Sequence, residues 1–383
     1  MPRNPSRAKT PSSMPRVPDT PFRTANQPEA FRALLAFRPY VFTTGIHSPF
    51  QAMLARMAGL PCVYMSGYST ALGRLGVADL GFPTLTEMVD NAKYIARAAG
   101  IPVIADADDG YGDAKIVQRT VAEFEQVGVA GIHLEDQTLP KRCGHLGGKR
   151  VIPVDEAVGK FRAAVDARVN PNFFLIARTD AYGAANARGD GFEESLERGR
   201  RYADAGMDMV WPEMPTASRD DAVRWSEAFR ETHPDVPLGF NYSSSFRWHE
   251  EEDPLTVSEL GKLGYRYIFT TLGAIHAEAL AVLEYMEGMR RTEERAVFRL
   301  ERMRRGAPTE SHHVLGRFEH FKEIEKRYLP PEEVKARYAL STGFGADGGK
   351  LRPTATGGGG SRRNGHGAAR AAARGVRSRA RRA

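Results

Sequence analysis

Eight short apolar runs, spaced by amphipathic stretches, constrain the fold of this chain more than any other feature. They cover residues 41–44, 62–65, 103–105, 131–134, 173–177, 209–211, 237–240 and 267–270, and runs this short read as buried strands. Helical patterns lie between or after them at 86–99, 116–127, 155–168, 192–205, 219–231, 255–263 and 275–290. Gly100, Gly128, Gly206 and Gly264 stand where helix C-caps belong, since glycine enters the left-handed region without a Cβ penalty. Alternating units at this spacing specify an α/β protein, a (β/α)8 TIM-type barrel. A doubly wound sheet is the alternative, but no glycine-rich dinucleotide-binding turn follows the first strand.

The 383 residues hold one such barrel with an extension at each end. Residues 1–25 are Pro-, Ser- and Arg-rich with few large apolar side chains, and a disordered tail is expected there. A second disordered tail is expected over 346–383, Gly-, Ala- and Arg-rich with a Gly357-Gly358-Gly359-Gly360-Ser361 connector. Residues 26–345 are then the barrel with a C-terminal helical extension. The tails also account for the net charge of +7: residues 350–383 hold one Lys and nine Arg without an acid, and 1–25 hold five basic residues and one Asp. That leaves −7 on residues 26–349, which argues against nucleic-acid binding by the folded core. The Arg-rich tail alone keeps a nucleic-acid-associated role open, through weak and non-specific contacts.

Two cysteines, Cys62 and Cys143, make no disulfide framework and point to a reducing compartment or simply to free thiols. No run approaches the roughly 18 apolar residues of a membrane span, and no apolar stretch follows the basic N-terminal residues as in a secretory signal. A cytoplasmic protein is expected.

The residues just after the apolar runs form a series: Ser66-Gly67-Tyr68, Asp106 and Asp108, Glu135-Asp136, Arg178 with Asp180, Glu213, Asn241 with Ser243 and Ser245, and Thr271. In a barrel all of them project at the C-terminal rim, where active sites are built. Carboxylates crowded at one rim need a cation, and all-oxygen ligands suit Mg2+ or Mn2+, with Asp106 the first candidate ligand and the others acting mostly through water. Arg178, Asn241, Ser243, Ser245 and Thr271 supply donors that match carboxylates. Residues 131–150, GIHLEDQTLPKRCGHLGGKR, run from the fourth strand into a glycine-punctuated loop with Lys141, Arg142, Cys143 and His145 close together. A thiol flanked by cations is expected to have a lowered pKa. Taken alone, Lys-Arg-Cys-Gly-His reads as well as a surface loop with an idle cysteine. His145 is open among tuning Cys143, binding substrate and making a surface hydrogen bond, and Cys62 reads as core. A hard metal, an Arg and a hydroxyl-rich pocket fit a small polycarboxylate. With a cysteine beside them, the economical chemistry is making or breaking a carbon–carbon bond next to a carboxylate, the cysteine exchanging a proton with the carbanion.

Lys141-Arg142-Cys143-Gly144-His145 resembles the catalytic loop of the isocitrate lyase and phosphoenolpyruvate mutase superfamily. The resemblance extends over Ser66-Gly67-Tyr68, the stretch from Ala105 to Gly112, His133 to Gln137, Ala177 to Ala181, Trp211-Pro212-Glu213, Asn241 to Phe246 and Thr270-Thr271-Leu272, or roughly residues 40 to 290. Leu146-Gly147-Gly148-Lys149 and Asn241-Tyr242-Ser243-Ser244-Ser245-Phe246 resemble isocitrate lyases more than 2-methylisocitrate lyases. The resemblance implies Mg2+ held by Asp106 with Asp108, Glu135 and Glu213. It implies a glyoxylate subsite at Ser66, Gly67, Tyr68 and Arg178, and a succinate subsite at Gly144, His145, Asn241, Ser243, Ser245 and Thr271. Cys143 would protonate the succinate carbanion. Tyr68 stands where many isocitrate lyases have Trp, and the inserted segment of the longer enzymes is missing. A homotetramer is implied, with the helix over 275–290 exchanged between subunits. The alternatives within the fold are a 2-methylisocitrate lyase and a lyase or hydrolase of oxaloacetate-like acids.

Overall fold

The computed structural model describes residues 26–339; both expected tails lie outside these. Eight strands, β1 Val41–Ile46, β2 Val63–Met65, β3 Val103–Asp106, β4 Gly131–Glu135, β5 Phe174–Thr179, β6 Met209–Pro212, β7 Leu238–Asn241 and β8 Tyr265–Thr270, form a closed barrel in sequence order. Every pairing is parallel, and β1 closes the barrel on β8 with Val41 opposite Tyr267. The barrel expected from the alternation is therefore the fold. Most strands run past the apolar residues, because a ladder is made by backbone groups and does not stop where apolarity does. The extra residues matter: Asp106, Glu135, Arg178 and Asn241 are strand residues, and their side chains leave from the most rigid part of the molecule.

The helices are α1 Gln27–Phe37, α2 Pro49–Met57, α3 Gly67–Thr70, α4 Leu85–Ala99, α5 Ala114–Val127, α6 Val154–Ala167, α7 Phe192–Asp204, α8 Arg219–Arg230, α9 Val257–Leu263, α10 Gly273–Thr292 and α11 Glu294–Arg304. Thr84 and Thr256 start α4 and α9 with capping boxes to Glu87 and Glu259, satisfying N–H groups that have no partner inside the helix. Gly100, Gly128 and Gly264 end α4, α5 and α9 in the left-handed conformation, while Gly206 falls one residue beyond the C-cap of α7. Residues 26–300 form one compact unit; residues 301–339, with α12 His312–Leu315, α13 Phe318–Tyr328 and α14 Pro331–Ala339, belong to a second. No helix among the described residues is long and apolar enough to cross a membrane.

Helices α1 and α2 were not among the sequence expectations, and α1 closes the N-terminal end of the barrel. Phe31, Leu34 and Leu35 join the interior cluster with Tyr64, Ile104, Phe174, Trp211 and Tyr267. The Phe31 ring stands edge-on to Phe174 and Tyr267, with centroids 5.1 and 5.4 Å apart. Gln27 locks the helix in place, donating to Ala96 O and accepting from Val103 N. Cys62 is buried in this interior, as expected, and burial pushes its thiol up to about 12. Asp136 is equally structural. Its carboxylate accepts from the Thr179 hydroxyl, Asp180 N and the Tyr202 hydroxyl, tying β4 to β5 and α7.

Candidate active site

Asp106, at the end of β3, sits at the centre of the rim. Its Oδ2 accepts from Gly67 N (2.9 Å) and the Tyr64 hydroxyl (3.0 Å), its Oδ1 accepts from Asp108 N (3.0 Å), and His133 Nε2 lies 3.1 Å from Oδ1. Burial alone would raise this carboxyl, but His133, with Lys141 behind it, holds it far below the usual carboxylate range. A Cβ at Gly67 would lie 2.4 Å from Asp106 Oδ2, so only glycine lets the backbone N–H come this close. Ser66, buried, caps α3 through Ser69 N, and this cap sets the turn that aims Gly67 N at the carboxylate.

Next to it the chain turns sharply. Asp108 and Tyr111 both have positive φ, +47° and +64°. The Asp108 carboxyl is raised to about 7 by burial, with Lys141 opposing and Asp106 and Asp79 adding to the rise. Lys141 Nζ lies 2.6 Å from Asp108 Oδ1 and 2.6 Å from Asp79 Oδ1, all three buried. Burial alone would lower the ammonium, but Asp108 and Asp79 hold it charged.

On the other side, Arg178 from β5 faces Glu135, Asp180 and Glu213. Nε and Nη2 donate to the two Asp180 oxygens at 2.8 and 2.9 Å, Nη1 lies 3.4 Å from Glu135 Oε2, and Nε lies 3.8 Å from Glu213 Oε2. The guanidinium also lies over the Trp211 ring, 4.6 Å from its centroid. Glu213 then connects to the last three strands: Asn241 Nδ2 donates to its Oε1 at 3.1 Å, and Thr271 Oγ1 donates to Asn241 Oδ1 at 2.9 Å. His145 Nε2 approaches the same Glu213 oxygen at 3.1 Å, and its ring packs edge-on against Phe246. Burial keeps this imidazole below its ordinary pKa against the pull of Glu213. Ser243 is buried and caps the turn into Phe246, whereas Ser245 is exposed at that turn.

The Cys143 loop lies against these groups. Its backbone is pinned by Gln137, which donates to Arg142 O and accepts from Arg142 N, and by Cys143 N donating to Asp79 O at 3.1 Å. Gly144 packs so closely that a Cβ there would lie 2.3 Å from Arg178 Nη2. One expectation is corrected. Cys143 does not have a lowered pKa: Lys141 points away to Asp79 and Asp108, Arg142 is exposed, and burial pushes the thiol up to about 11. Tyr68 lies near this thiol, its own hydroxyl raised by burial and by Cys143.

The sequence singles out neither Asp79 nor Tyr64 as a site residue, and His133 enters only as the first residue of a stretch that resembles the superfamily. Tyr64 and His133 are inside apolar strands, where period and composition say core. Asp79 comes from the irregular segment before α4, and only its contact with Lys141 identifies it.

The carboxylates fit a hard divalent cation. Glu135 Oε1 and Glu213 Oε2 are buried acceptors with no donor, and the Glu135 carboxyl is pushed well up by burial. Asp106, by contrast, already has a protein donor or imidazole at each acceptor position. Among the described residues no three His, Cys, Asp or Glu side chains converge tightly enough for an all-protein cage.

A barrel whose rim combines these carboxylates with a buried Arg and a cysteine loop is matched by a family model, phosphoenolpyruvate phosphomutase, over residues 31–290. The chain belongs to the phosphoenolpyruvate mutase/isocitrate lyase superfamily. Within it, an isocitrate lyase of Haloferax volcanii is 50% identical over 313 residues, 82% of this chain and 89% of that one. A probable 2-methylisocitrate lyase of Corynebacterium glutamicum is 40% identical over 247 residues, 64% of this chain and 76% of the relative. A phosphonopyruvate hydrolase solved in complex with oxalate and Mg2+ superposes with a TM-score of 0.67 at 27% identity, covering 79% of this chain and 99% of the other.

Proposed function

We propose that the chain is a Mg2+-dependent isocitrate lyase that cleaves isocitrate into glyoxylate and succinate, a carbon–carbon lyase of the glyoxylate cycle in the cytoplasm. The observation that carries this reading is the Cys143 loop packed against Arg178 and Glu213, so closely that a Cβ at Gly144 would lie 2.3 Å from Arg178 Nη2 and 2.8 Å from Glu213 Cγ, which brings the neighbouring thiol to this pair. The hydroxyl gives its proton to a rim carboxylate and its oxygen becomes the glyoxylate carbonyl as the bond from the hydroxyl-bearing carbon to its neighbour breaks. The electron pair left on the carbon next to a carboxylate takes its proton from the Cys143 thiol, and the thiolate regains one from solvent after product release. A general acid must be protonated at the working pH, and a half-buried thiol pushed up to about 11 is. Arg178, Ser66, Gly67 and Tyr68 bind the glyoxylate portion; Gly144, His145, Asn241, Ser243, Ser245 and Thr271 bind the succinate carboxylates, Glu213 orienting His145 and Asn241. Glu135 would hold the metal through its free Oε1 and water, with Asp108, already paired with Lys141, and Asp106 adding charge; when bound, Mg2+ supplies charge stabilisation for the hydroxy-acid oxygens.

The 40% identity to the 2-methylisocitrate lyase keeps one alternative substrate in view, since an extra methyl changes binding by only about 1–3 kcal/mol. The deciding assay gives the protein D-threo-isocitrate with Mg2+ and traps glyoxylate as its hydrazone, with 2-methylisocitrate in parallel and pyruvate followed. Chelator-sensitive glyoxylate is expected. Pyruvate with little glyoxylate would move the enzyme to the methylated substrate.

A homotetramer with α10 exchanged between subunits completes this reading. In α10, Leu280, Leu283 and Met286 are 73, 58 and 60% exposed, an apolar stripe that a second copy would cover. Sedimentation at four times the 42.2 kDa chain mass is expected, and a monomer would remove the assignment.

A further inference from the structure

At the N-terminal end of the barrel, opposite the catalytic rim, a cavity of about 450 Å3 opens beside α1 and below the starts of β5 to β8. Its volume lies within the range of small-molecule sites, about 300–1,000 Å3. Leu35 and Phe174 give it an apolar wall, and three arginines line it: Arg32, Arg230 and Arg266. Their charges are unequally answered. Arg32 Nη2 pairs with Asp208 Oδ1 at 2.8 Å, and Asp208 Oδ2 is taken by Arg168 Nη1 at 2.7 Å and Leu175 N at 2.9 Å, so that carboxylate is used up. Arg266 is anchored through Nη2 to the Leu35 and Arg38 carbonyls, while its Nε is buried with no hydrogen-bond partner. Arg230 makes no ion pair among the described residues; Nη1 reaches Leu263 O at 3.4 Å, and its stem crosses Gly264, where a Cβ would lie 3.0 Å from Arg230 Cδ. Asp235, the other acid of the lining, is exposed and faces solvent rather than neutralising either arginine by an ion pair.

We propose that this cavity binds a small oxyanion, a phosphate or carboxylate group of a metabolite, between Arg230 and Arg266. Two guanidinium groups without carboxylate partners face one cavity: Arg266, immobilised through Nη2 by backbone carbonyls and with Nε enclosed, offers its remaining Nη1, and exposed Arg230 offers the rest of its fork, so one of the two has little left to order on binding. The apolar wall would take the carbon skeleton behind the anion. The site is separate from the rim and independent of what the rim catalyses.

Calorimetric titration of the full chain with inorganic phosphate, at ionic strength held constant with chloride, tests this. Saturable binding is expected, weakened about five-fold or more in Arg230→Gln and Arg266→Gln, as loss of one charge-assisted contact requires, and unchanged in Arg119→Gln on the outer face of α5. Arg230 is exposed and carries no fold-critical contact, so Arg230→Gln keeps the test valid if Arg266→Gln fails to fold. Acetate titrated in the same way separates the sources: tighter phosphate assigns a phosphate ester, tighter acetate a carboxylate. Absence of a saturable phase, or the same affinity in the parent and Arg230→Gln, would overturn the proposal.

Discussion

Cys143→Ser is expected to lower kcat for glyoxylate release by about 10²- to 10⁴-fold, the range that a positioned proton donor supplies. KM should change little, because the carboxylate contacts come from Arg178, Asn241 and the serines rather than from the sulfur. The substitution is nearly isosteric, and the loop is held by Gln137 and by the backbone of residue 143, not by its side chain, so the fold should be kept. The pH dependence separates an acid from a nucleophile. An ordinary thiol ionises at about 8.5, so the activity of a thiolate nucleophile would climb through that pH. Burial places Cys143 near 11, so a proton donor stays fully loaded through neutral pH and kcat should fall only on approach to that value. A serine variant with the parent rate, or a kcat rising between pH 7 and 9 with thiolate formation, would remove Cys143 from the proton-donor role.

How much of this was legible in the sequence depended on whether a feature was periodic. The barrel was, because each strand and most helices repeat an apolar pattern that the tertiary fold also requires, and the glycines at 100, 128 and 264 mark real helix ends. Helix α1 was not, since its role is set by what Phe31 meets at the barrel bottom rather than by its own pattern. The rim residues could be read as strand-end polar groups, and the structure brings Asp106, Asp108, Glu135, Arg178, Glu213, Asn241 and Thr271 into one connected network. The charge state of Cys143 could not be read, for a reason that is general to loops. Adjacent residues in irregular backbone point in unrelated directions, so Lys141 and Arg142 are neighbours of the thiol in sequence but not in electrostatics. Asp79 lacked any signal, because its partner Lys141 belongs to a loop two strands later.

That buried Lys141 gives the second large effect. Lys141→Met is expected to cost about 3–5 kcal/mol of folding stability, the usual result of deleting one member of a buried charge pair. Methionine fills most of the lysine stem, so the loss is electrostatic: Asp79 and Asp108 are left facing each other with no cation between them. The signature is its pH dependence. Asp108 is already raised from 3.8 to about 7 with Lys141 present, and removing the ammonium raises it further. A carboxyl raised in the folded state favours folding while it is protonated and loses that contribution as pH climbs from its unfolded value through its folded one. The stability gap between parent and variant, measured by urea denaturation, should therefore be small at pH 5 and widest above pH 8. Mg2+ should narrow it at the higher pH, since a divalent cation on the same carboxylates replaces the charge the lysine supplied. An equal loss at pH 5 and pH 8 would instead mean that Lys141 contributes by packing, and the internal counter-ion role would then fall.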